Sequence, residues 1–119
     1  MMVAPRSLQF METTAFTKRA RELGLEENLR ELQNDLVANP RMGPIEPGTG
    51  GLRKARIGYP GKGKRGGARV HYLYLPEHAV IYLMLAYAKS EQSSLEPDQK
   101  VQLRRVVEKI KAEWDARTE

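Results

Sequence analysis

The segment from Ala68 to Ala88 constrains the fold of this chain more than any other. Ala68–Leu75 is rich in β-branched and aromatic residues, and Ala79–Ala88 is almost continuously apolar, as expected of a central strand. Between them, Pro76-Glu77-His78 is short enough to form a hairpin turn. The segment therefore predicts two antiparallel strands.

The N-terminal part predicts one strand followed by two helices. Leu8–Glu12 alternates like a strand, and Thr13 or Thr14 can cap a helix that Gly24 ends. A second helix, from about Leu25 to Ala38, carries leucines at spacings of three and four. Residues 40–51 are rich in proline and glycine and predict a loop.

One further strand and one helix complete the pattern. Leu52–Gly58 alternates, and Pro97 is suited to the first position of a helix. The predicted buried stripe of that helix consists of Leu103, Val106, Val107, Ile110 and Trp114. The order of elements favours an α+β fold, with a small, mainly antiparallel sheet that carries the helices on one face. We expect a single domain over residues 1–119, with residues 1–6 as a loose tail.

Positive charge is concentrated in the centre of the chain. No acidic residue lies between Glu46 and Glu77. The basic residues of that window are Arg53, Lys54, Arg56, Lys62, Lys64, Arg65 and Arg69. They account for the whole net charge of +5, because the other 13 basic residues are outnumbered by 15 acidic ones. Such a focused positive field attracts polyanions such as nucleic acids.

Composition also excludes several kinds of site. The chain has no cysteine, which excludes disulfides and thiolate metal sites and suits a reducing cytoplasm. No apolar run reaches the roughly 18 residues of a membrane span. With two histidines and no acidic neighbours recognised for them, we expect neither a metal nor a cofactor.

The stretch GKGKRG, residues 61–66, matches the dinucleotide pattern G-x-G-x-x-G. That pattern requires a helix to follow, whereas ARVHYLYL predicts a strand. Gly58–Lys64 also fits the start of a phosphate-binding loop, but Arg65 replaces the hydroxyl residue that would hold magnesium. We interpret the stretch as a flexible basic hairpin loop, in which Lys62, Lys64 and Arg65 approach a phosphate backbone.

Strand alternation places several of these cations on one face of the sheet. Lys54 and Arg56 share a face of their strand, and Arg69 and His71 share a face of the next. If the helices cover the opposite face, these four side chains lie together on an open face, followed by Tyr87 and Lys89 on the last strand. Cations and a histidine can hold phosphates and stabilise a phosphorane. RNA supplies its own nucleophile, the 2′-hydroxyl, so cleavage requires no metal.

Three stretches together resemble a known protein family. GTGGLRKARI, GKGKRGGARVHYLY and IYLMLAYAKSEQSSLEPDQKVQLR are similar to the RelE superfamily of bacterial type II toxins, and most similar to its HigB-like branch. The resemblance implies a ribosome-dependent endoribonuclease that cuts mRNA in the A site of the 70S ribosome and leaves a cyclic phosphate. It also implies a cognate HigA-like antitoxin with a helix-turn-helix region, through which alone the toxin contacts operator DNA.

The resemblance also implies roles for individual residues. Lys54 and Arg56 match paired basic positions, Arg69 is implied to contact the scissile phosphate, and Lys89 lies in the motif that ends the last strand. The implied contacts to RNA or the ribosome are Lys62, Lys64, Arg65 and Arg53. Ser90 stands where RelE has an arginine, and the C-terminal helix lacks the tyrosine found there in RelE. The candidates for general acid and base are Lys89, His71, Tyr87 and Glu91.

Two other functions are compatible with the same fold. A ParE-type toxin that poisons gyrase would not need the basic residues Lys54, Arg56 and Arg69. A non-catalytic module that binds RNA or the ribosome would show a steep salt dependence but would leave no cleaved ends.

Overall fold

Four strands form one sheet in the computed structural model, which describes residues 7–61 and 67–117. The strands are β1 (Gln9–Glu12), β2 (Arg53–Ile57), β3 (Ala68–Leu75) and β4 (Val80–Ala88). Their order across the sheet is β1-β4-β3-β2. The antiparallel pairs β2–β3 and β3–β4 confirm the predicted mainly antiparallel sheet, while β1 runs parallel to β4 at its edge.

Three α-helices pack on this sheet: α1 (Thr14–Leu23), α2 (Glu26–Ala38) and α3 (Pro97–Arg117). The Thr13 hydroxyl caps α1 by accepting a hydrogen bond from the Phe16 amide at 3.1 Å. Gly24 ends α1 in the left-handed conformation, with φ of 67°. No helix in the described ranges is both long and apolar enough to span a membrane. The α+β order predicted from the sequence is thus confirmed.

The hairpin of β3 and β4 is less regular than a simple turn. Pro76–His78 forms one turn of 3₁₀ helix, and Ala79 then takes a left-handed conformation with φ of 54°. The pairing of β3 with β4 shifts register between His71 and Tyr72. Such an irregularity bends a strand locally and changes where its side chains point.

The helices lie on both faces of the sheet, so the prediction of one covered face is wrong. α1 and α2 bury a core that includes Phe16, Leu32, Val70 and Tyr72. On the other face, α3 packs Val107 and Ile110 against a second core. The sheet members of that second core are Leu52, Leu73, Leu75 and Met84. A sheet with apolar side chains on both faces needs helices packed on each face. The alternation of side chains within a single strand does not reveal this requirement.

The buried stripe predicted for α3 is correct only in part. Val107 and Ile110 are buried, whereas Leu103 and Trp114 are half-buried. Val106 remains 42% exposed and does not belong to the core. The buried stripe of α3 is therefore narrower than the spacing of its five apolar side chains predicts.

Candidate functional site

Two rows of side chains cross β2, β3 and β4 on the face that also carries α3. Arg56 pairs with Arg69, and Arg69 pairs in turn with Tyr87. In the adjacent row, Lys54 pairs with His71, which pairs with Leu85. The predicted grouping of Lys54, Arg56, Arg69 and His71 on one face is therefore observed, with Tyr87 in register beside Arg69.

This part of the face is not open, contrary to the prediction. The exposed fraction is 5% for Arg69, 2% for Tyr87 and zero for His71. Lys54 is half-buried and Arg56 is exposed, so the site runs from solvent at β2 into the interior at β4. The loop of residues 39–52 supplies part of this cover, since its Glu46 lies beside His71, and the loop reaches α3 where Gly50 approaches Val107.

The 39–52 loop is held along the outer edge of β2. The Lys54 amide donates to the Pro44 carbonyl at 3.0 Å, and the Glu46 amide donates to the Leu52 carbonyl at 2.7 Å. From the opposite side of the sheet, the Tyr72 hydroxyl donates to the Pro40 carbonyl at 2.9 Å. That hydroxyl also accepts a hydrogen bond from the Gly43 amide at 3.1 Å. The loop therefore has a defined path, and it directs Glu46 towards the two rows.

Glu46 contributes a carboxylate that no pattern in the sequence places here. One Glu46 oxygen lies 3.5 Å from His71 Nε2 and 4.0 Å from Lys54 Nζ. The one signal in the sequence is the position of Glu46 at the boundary of the segment without acidic residues. Its approach depends on the bridge between Ile45 and Arg53, which is a loop pairing that strand alternation does not predict.

His71 occupies a site that disfavours its charged form. Burial lowers the pKa of His71, the Glu46 carboxylate opposes this effect, and Lys54 and Lys100 reinforce it. Its ring stacks on that of Tyr87, with centroids 5.7 Å apart and planes inclined by 26°. Nδ1 of the ring has no hydrogen-bond partner among the residues that the structure describes, and Nε2 faces the Glu46 carboxylate at the long distance of 3.5 Å. A buried imidazole with an unpartnered nitrogen is uncommon in a purely structural role.

Tyr87 and Arg69 are the two polar groups at the closed end of the site. Burial and the Glu46 carboxylate raise the pKa of Tyr87, while Arg69 lowers it. Burial and the neighbouring Arg56 lower the pKa of Arg69. The Tyr87 hydroxyl is buried, with no hydrogen-bond partner in the described ranges. A phenol that keeps its proton can donate a hydrogen bond to an incoming phosphate. Binding of that anion would also offset the cost of burying the Arg69 charge.

The remaining predicted residues lie in different surroundings. Lys89 directly follows β4, where its amide donates to the Gly67 carbonyl at 2.9 Å and its side chain is exposed. Arg53 lies on the other face of β2, and its guanidinium donates to the Gly43 carbonyl at 2.8 Å. It supports the loop, away from Lys54 and Arg56. The predicted loop contacts Lys62, Lys64 and Arg65 lie outside the described residues.

Glu91 stabilises local structure and is poorly suited to proton donation. Its carboxylate accepts the Ala88 amide at 2.9 Å and forms an ion pair with Arg19 of α1. The Ala88 hydrogen bond lowers the pKa of Glu91, and Arg19 contributes in the same direction. Of the four acid and base candidates, only His71 and Tyr87 lie in the two rows.

The two rows combine cations, a neutral imidazole beside a carboxylate, and a protonated phenol. Cations at the solvent end can hold a phosphate, and an imidazole paired with a carboxylate can accept a proton. A phenol can donate one. The arrangement therefore contains the groups required for general acid–base chemistry at a phosphodiester.

Comparison with known proteins places the chain in a family. A sequence-family profile described as "RelE toxin of RelE / RelB toxin-antitoxin system" matches residues 9–117. The fold is similar to that of the E. coli toxin RelE, solved in the free state as a double arginine-to-alanine variant, with a TM-score of 0.57 and 15% identity. The match covers 74% of this chain and 90% of that chain. The chain therefore belongs to the RelE family of toxins from toxin–antitoxin systems.

Proposed function

We propose that this toxin is a ribosome-dependent endoribonuclease of the HigB-like type that cuts mRNA in the ribosomal A site. The observation that carries the proposal is the buried, stacked pair of His71 and Tyr87 next to Arg69, in which the Tyr87 hydroxyl and His71 Nδ1 have no hydrogen-bond partner among the described residues. Burying polar groups without partners costs about 1–3 kcal/mol per group. A site that tolerates this cost is consistent with groups kept for a substrate.

In the proposed mechanism, Arg56 and Arg69 hold the scissile phosphate and stabilise the phosphorane. His71 accepts the proton of the 2′-hydroxyl, and Glu46, 3.5 Å from Nε2, stabilises the resulting imidazolium. The 2′-oxygen forms a bond to phosphorus while the bond to the 5′-oxygen breaks. Tyr87 donates its proton to that leaving oxygen, so the products are a 2′,3′-cyclic phosphate and a 5′-hydroxyl.

Substrate access requires a movement of the 39–52 loop. His71 has no exposed surface, so a ribose cannot reach it until Glu46 and the neighbouring loop residues shift. The contacts of Glu46 with His71 and Lys54, at 3.5 and 4.0 Å, are long for charge-assisted hydrogen bonds. We interpret the buried site as a resting form that opens when mRNA is presented on the ribosome, which accounts for ribosome dependence.

The proposed partners follow from the same assignment. The toxin acts in the cytoplasm as a single domain, and a HigA-like antitoxin with a helix-turn-helix region neutralises it. Operator DNA is contacted through the antitoxin. The ribosome provides the polyanionic surface that matches the basic segment between Glu46 and Glu77.

The test is a translation reaction reconstituted with purified ribosomes and one defined mRNA. We expect cuts in the translated frame that carry a cyclic phosphate, and at least a hundredfold loss of cleavage rate in Arg69→Ala. Arg30→Ala, which removes an exposed arginine of α2 on the opposite face of the sheet, is the matched control and should cut normally.

The other outcomes distinguish the alternatives. Cutting of free RNA at the same rate would contradict ribosome dependence. Ribosome binding without cut ends would favour a non-catalytic module, whereas trapped gyrase–DNA complexes with intact mRNA would favour a ParE-type toxin. Full cleavage by Arg69→Ala would overturn the assignment of the site.

A further inference from the structure

A second cluster of ligating side chains lies where the β3–β4 turn meets the C-terminal end of α3. Glu77 and His78 belong to the 3₁₀ turn, and Asp115 lies near the end of α3. Each offers one ligating atom, and these atoms lie within 4.8 Å of one another. None of the three belongs to the two rows of the candidate site. His78 therefore has two acidic neighbours, Glu77 in the sequence and Asp115 in space, so the expectation that the histidines lack acidic neighbours is wrong for this residue.

His78 is fixed as a ligand would be. Its side chain is only 8% exposed, and its ring lies 5.3 Å from the ring of Trp114. Trp114 is itself held, because its indole N–H donates to the Tyr82 hydroxyl at 2.7 Å. The imidazole is thus oriented by packing, with Nε2 facing the carboxylate of Asp115. Fixed orientation reduces the entropic cost of binding an ion.

The distance between the first two ligating atoms fits a tetrahedral metal ion. His78 Nε2 and Asp115 Oδ1 are 3.4 Å apart, which is long for a hydrogen bond to a carboxylate. Zinc bonds to nitrogen and oxygen are about 2.0–2.2 Å long, so two ligands of a tetrahedral ion lie roughly 3.3–3.5 Å apart. The Glu77 oxygen lies within 4.8 Å of the ligating atoms of His78 and Asp115, so all three ligating atoms already surround one common position that is accessible from solvent.

Ligand type selects the class of ion. One imidazole and two carboxylates suit zinc and neighbouring first-row divalent metals, whereas magnesium and calcium prefer oxygen ligands alone. Two cations lie nearby and weaken the attraction. Lys111 lines the adjacent cavity and donates to the Gly50 carbonyl at 2.7 Å, and Arg117 stacks 4.5 Å above the Trp114 ring.

We propose that Glu77, His78 and Asp115 form a binding site for a divalent transition-metal ion of the zinc class, completed by water. The ion would join the turn after β3 to the end of α3. Because α3 forms one side of the second core, the linkage would stabilise the packing of this helix on the sheet.

Trp114 makes the site directly measurable, because it is the only tryptophan of the chain. We expect Co²⁺, added to the untagged, metal-free chain, to quench Trp114 fluorescence saturably with one equivalent bound. Zn²⁺ should displace Co²⁺ and restore the signal. Excess Zn²⁺ should raise Tm by about 5 °C at tenfold over its Kd, and EDTA should reverse this change.

The variants His78→Gln and Asp115→Asn should each weaken Co²⁺ binding at least tenfold. Asp98→Asn removes an exposed carboxylate from the first turn of α3 and is the matched control, with unchanged binding. Linear, unsaturable quenching of the wild-type chain would overturn the proposal even if a variant failed to fold. Saturable quenching that both variants retain would overturn it equally, since the metal would then bind elsewhere.

Discussion

His71 is an ionisable residue that lies buried, in surroundings that destabilise its charged form. Because burial lowers its pKa, the folded chain holds this ring neutral under conditions in which the unfolded chain protonates it. Unfolding therefore takes up a proton in the pH interval below about 6.5, the ordinary histidine value, and above the lowered folded value. In that interval stability falls as pH falls, and above about pH 6.5 the contribution is complete.

We therefore predict that acidification destabilises the wild-type chain through this residue. Between about pH 7.5 and 5.5 the free energy of unfolding should fall as pH falls, with a contribution from His71 of at most about 1.4 kcal/mol per pH unit, the limit for uptake of one proton. His71→Phe retains an aromatic ring against Tyr87 but cannot titrate, so its stability should change little over the same interval. Urea unfolding at three pH values measures both curves.

The other histidine provides the control for this prediction. His78→Gln leaves His71 in place and should keep the acid-sensitive component of the wild-type curve. If His71→Phe remains as acid-sensitive as the wild-type chain, the buried imidazole is not the source. The proposed mechanism adds a second expectation, that His71→Phe folds well and yet fails to cut mRNA.

At the scale of elements, the 39–52 loop depends on a close approach to β2. A Cβ added at Gly43 would lie 2.5 Å from the Lys54 carbonyl oxygen, closer than real Cβ contacts. The loop therefore follows the strand edge only because residue 43 has no side chain. The same contact sets the position of Glu46, three residues further along.

Gly43→Ala should accordingly displace the loop and destabilise the fold by about 1–3 kcal/mol. The cleavage rate of the folded variant should also fall, because Glu46 would move away from His71. Gly61→Ala is an instructive comparison, since its Cβ meets nothing within 4 Å and its cost, about 1 kcal/mol, comes only from a φ of 80°. Equal activity in the two variants would argue against a role for the loop in the site.

Local signals in the sequence predicted most elements, while contacts between distant segments escaped prediction. Thr13 and Gly24 specify the ends of α1 through capping and left-handed backbone, which depend on near neighbours alone. Alternation likewise grouped Arg69 with His71. The approach of Glu46 depends on a loop crossing a strand edge, and no period in the sequence reports such an event.

At the scale of the whole molecule, the helices pack on both faces of the sheet, so only part of the sheet is accessible to solvent. The two rows are covered towards β4, and they meet solvent at β2 through Arg56. The sequence predicts the number of helices correctly but not the faces of the sheet on which they pack. An amphipathic stripe shows that one side of a helix is buried, and it does not show against which face of the sheet. The basic segment then supplies attraction over longer distances.

We predict that the triple variant Lys62→Ala, Lys64→Ala and Arg65→Ala binds ribosomes more weakly with little loss of stability. A plot of the logarithm of the association constant with the ribosome against the logarithm of salt concentration has a negative slope. Its magnitude should decrease by about two to three, close to one for each phosphate that the variant no longer neutralises. Sedimentation with 70S ribosomes at several salt concentrations provides the slope, and thermal unfolding provides the stability.

The matched control removes the same charge elsewhere. Lys18→Ala, Arg21→Ala and Arg30→Ala together change three exposed cations of α1 and α2. If this variant reduces the salt slope by the same amount, binding follows net charge. A large difference between the two triple variants would instead assign the contact to residues 62–65.

The parallel pairing of β1 with β4 has a consequence for the order of biosynthesis. Thr13, next to β1, hydrogen-bonds the Met84 carbonyl across 71 positions of sequence. An N-terminal strand whose partner is the last strand of the sheet cannot pair until that strand has been made, and such long-range closure is slow. β1 therefore stays without its partner strand until residues through Ala88 have been translated, so the closing of this sheet edge is a late step in folding of the nascent chain.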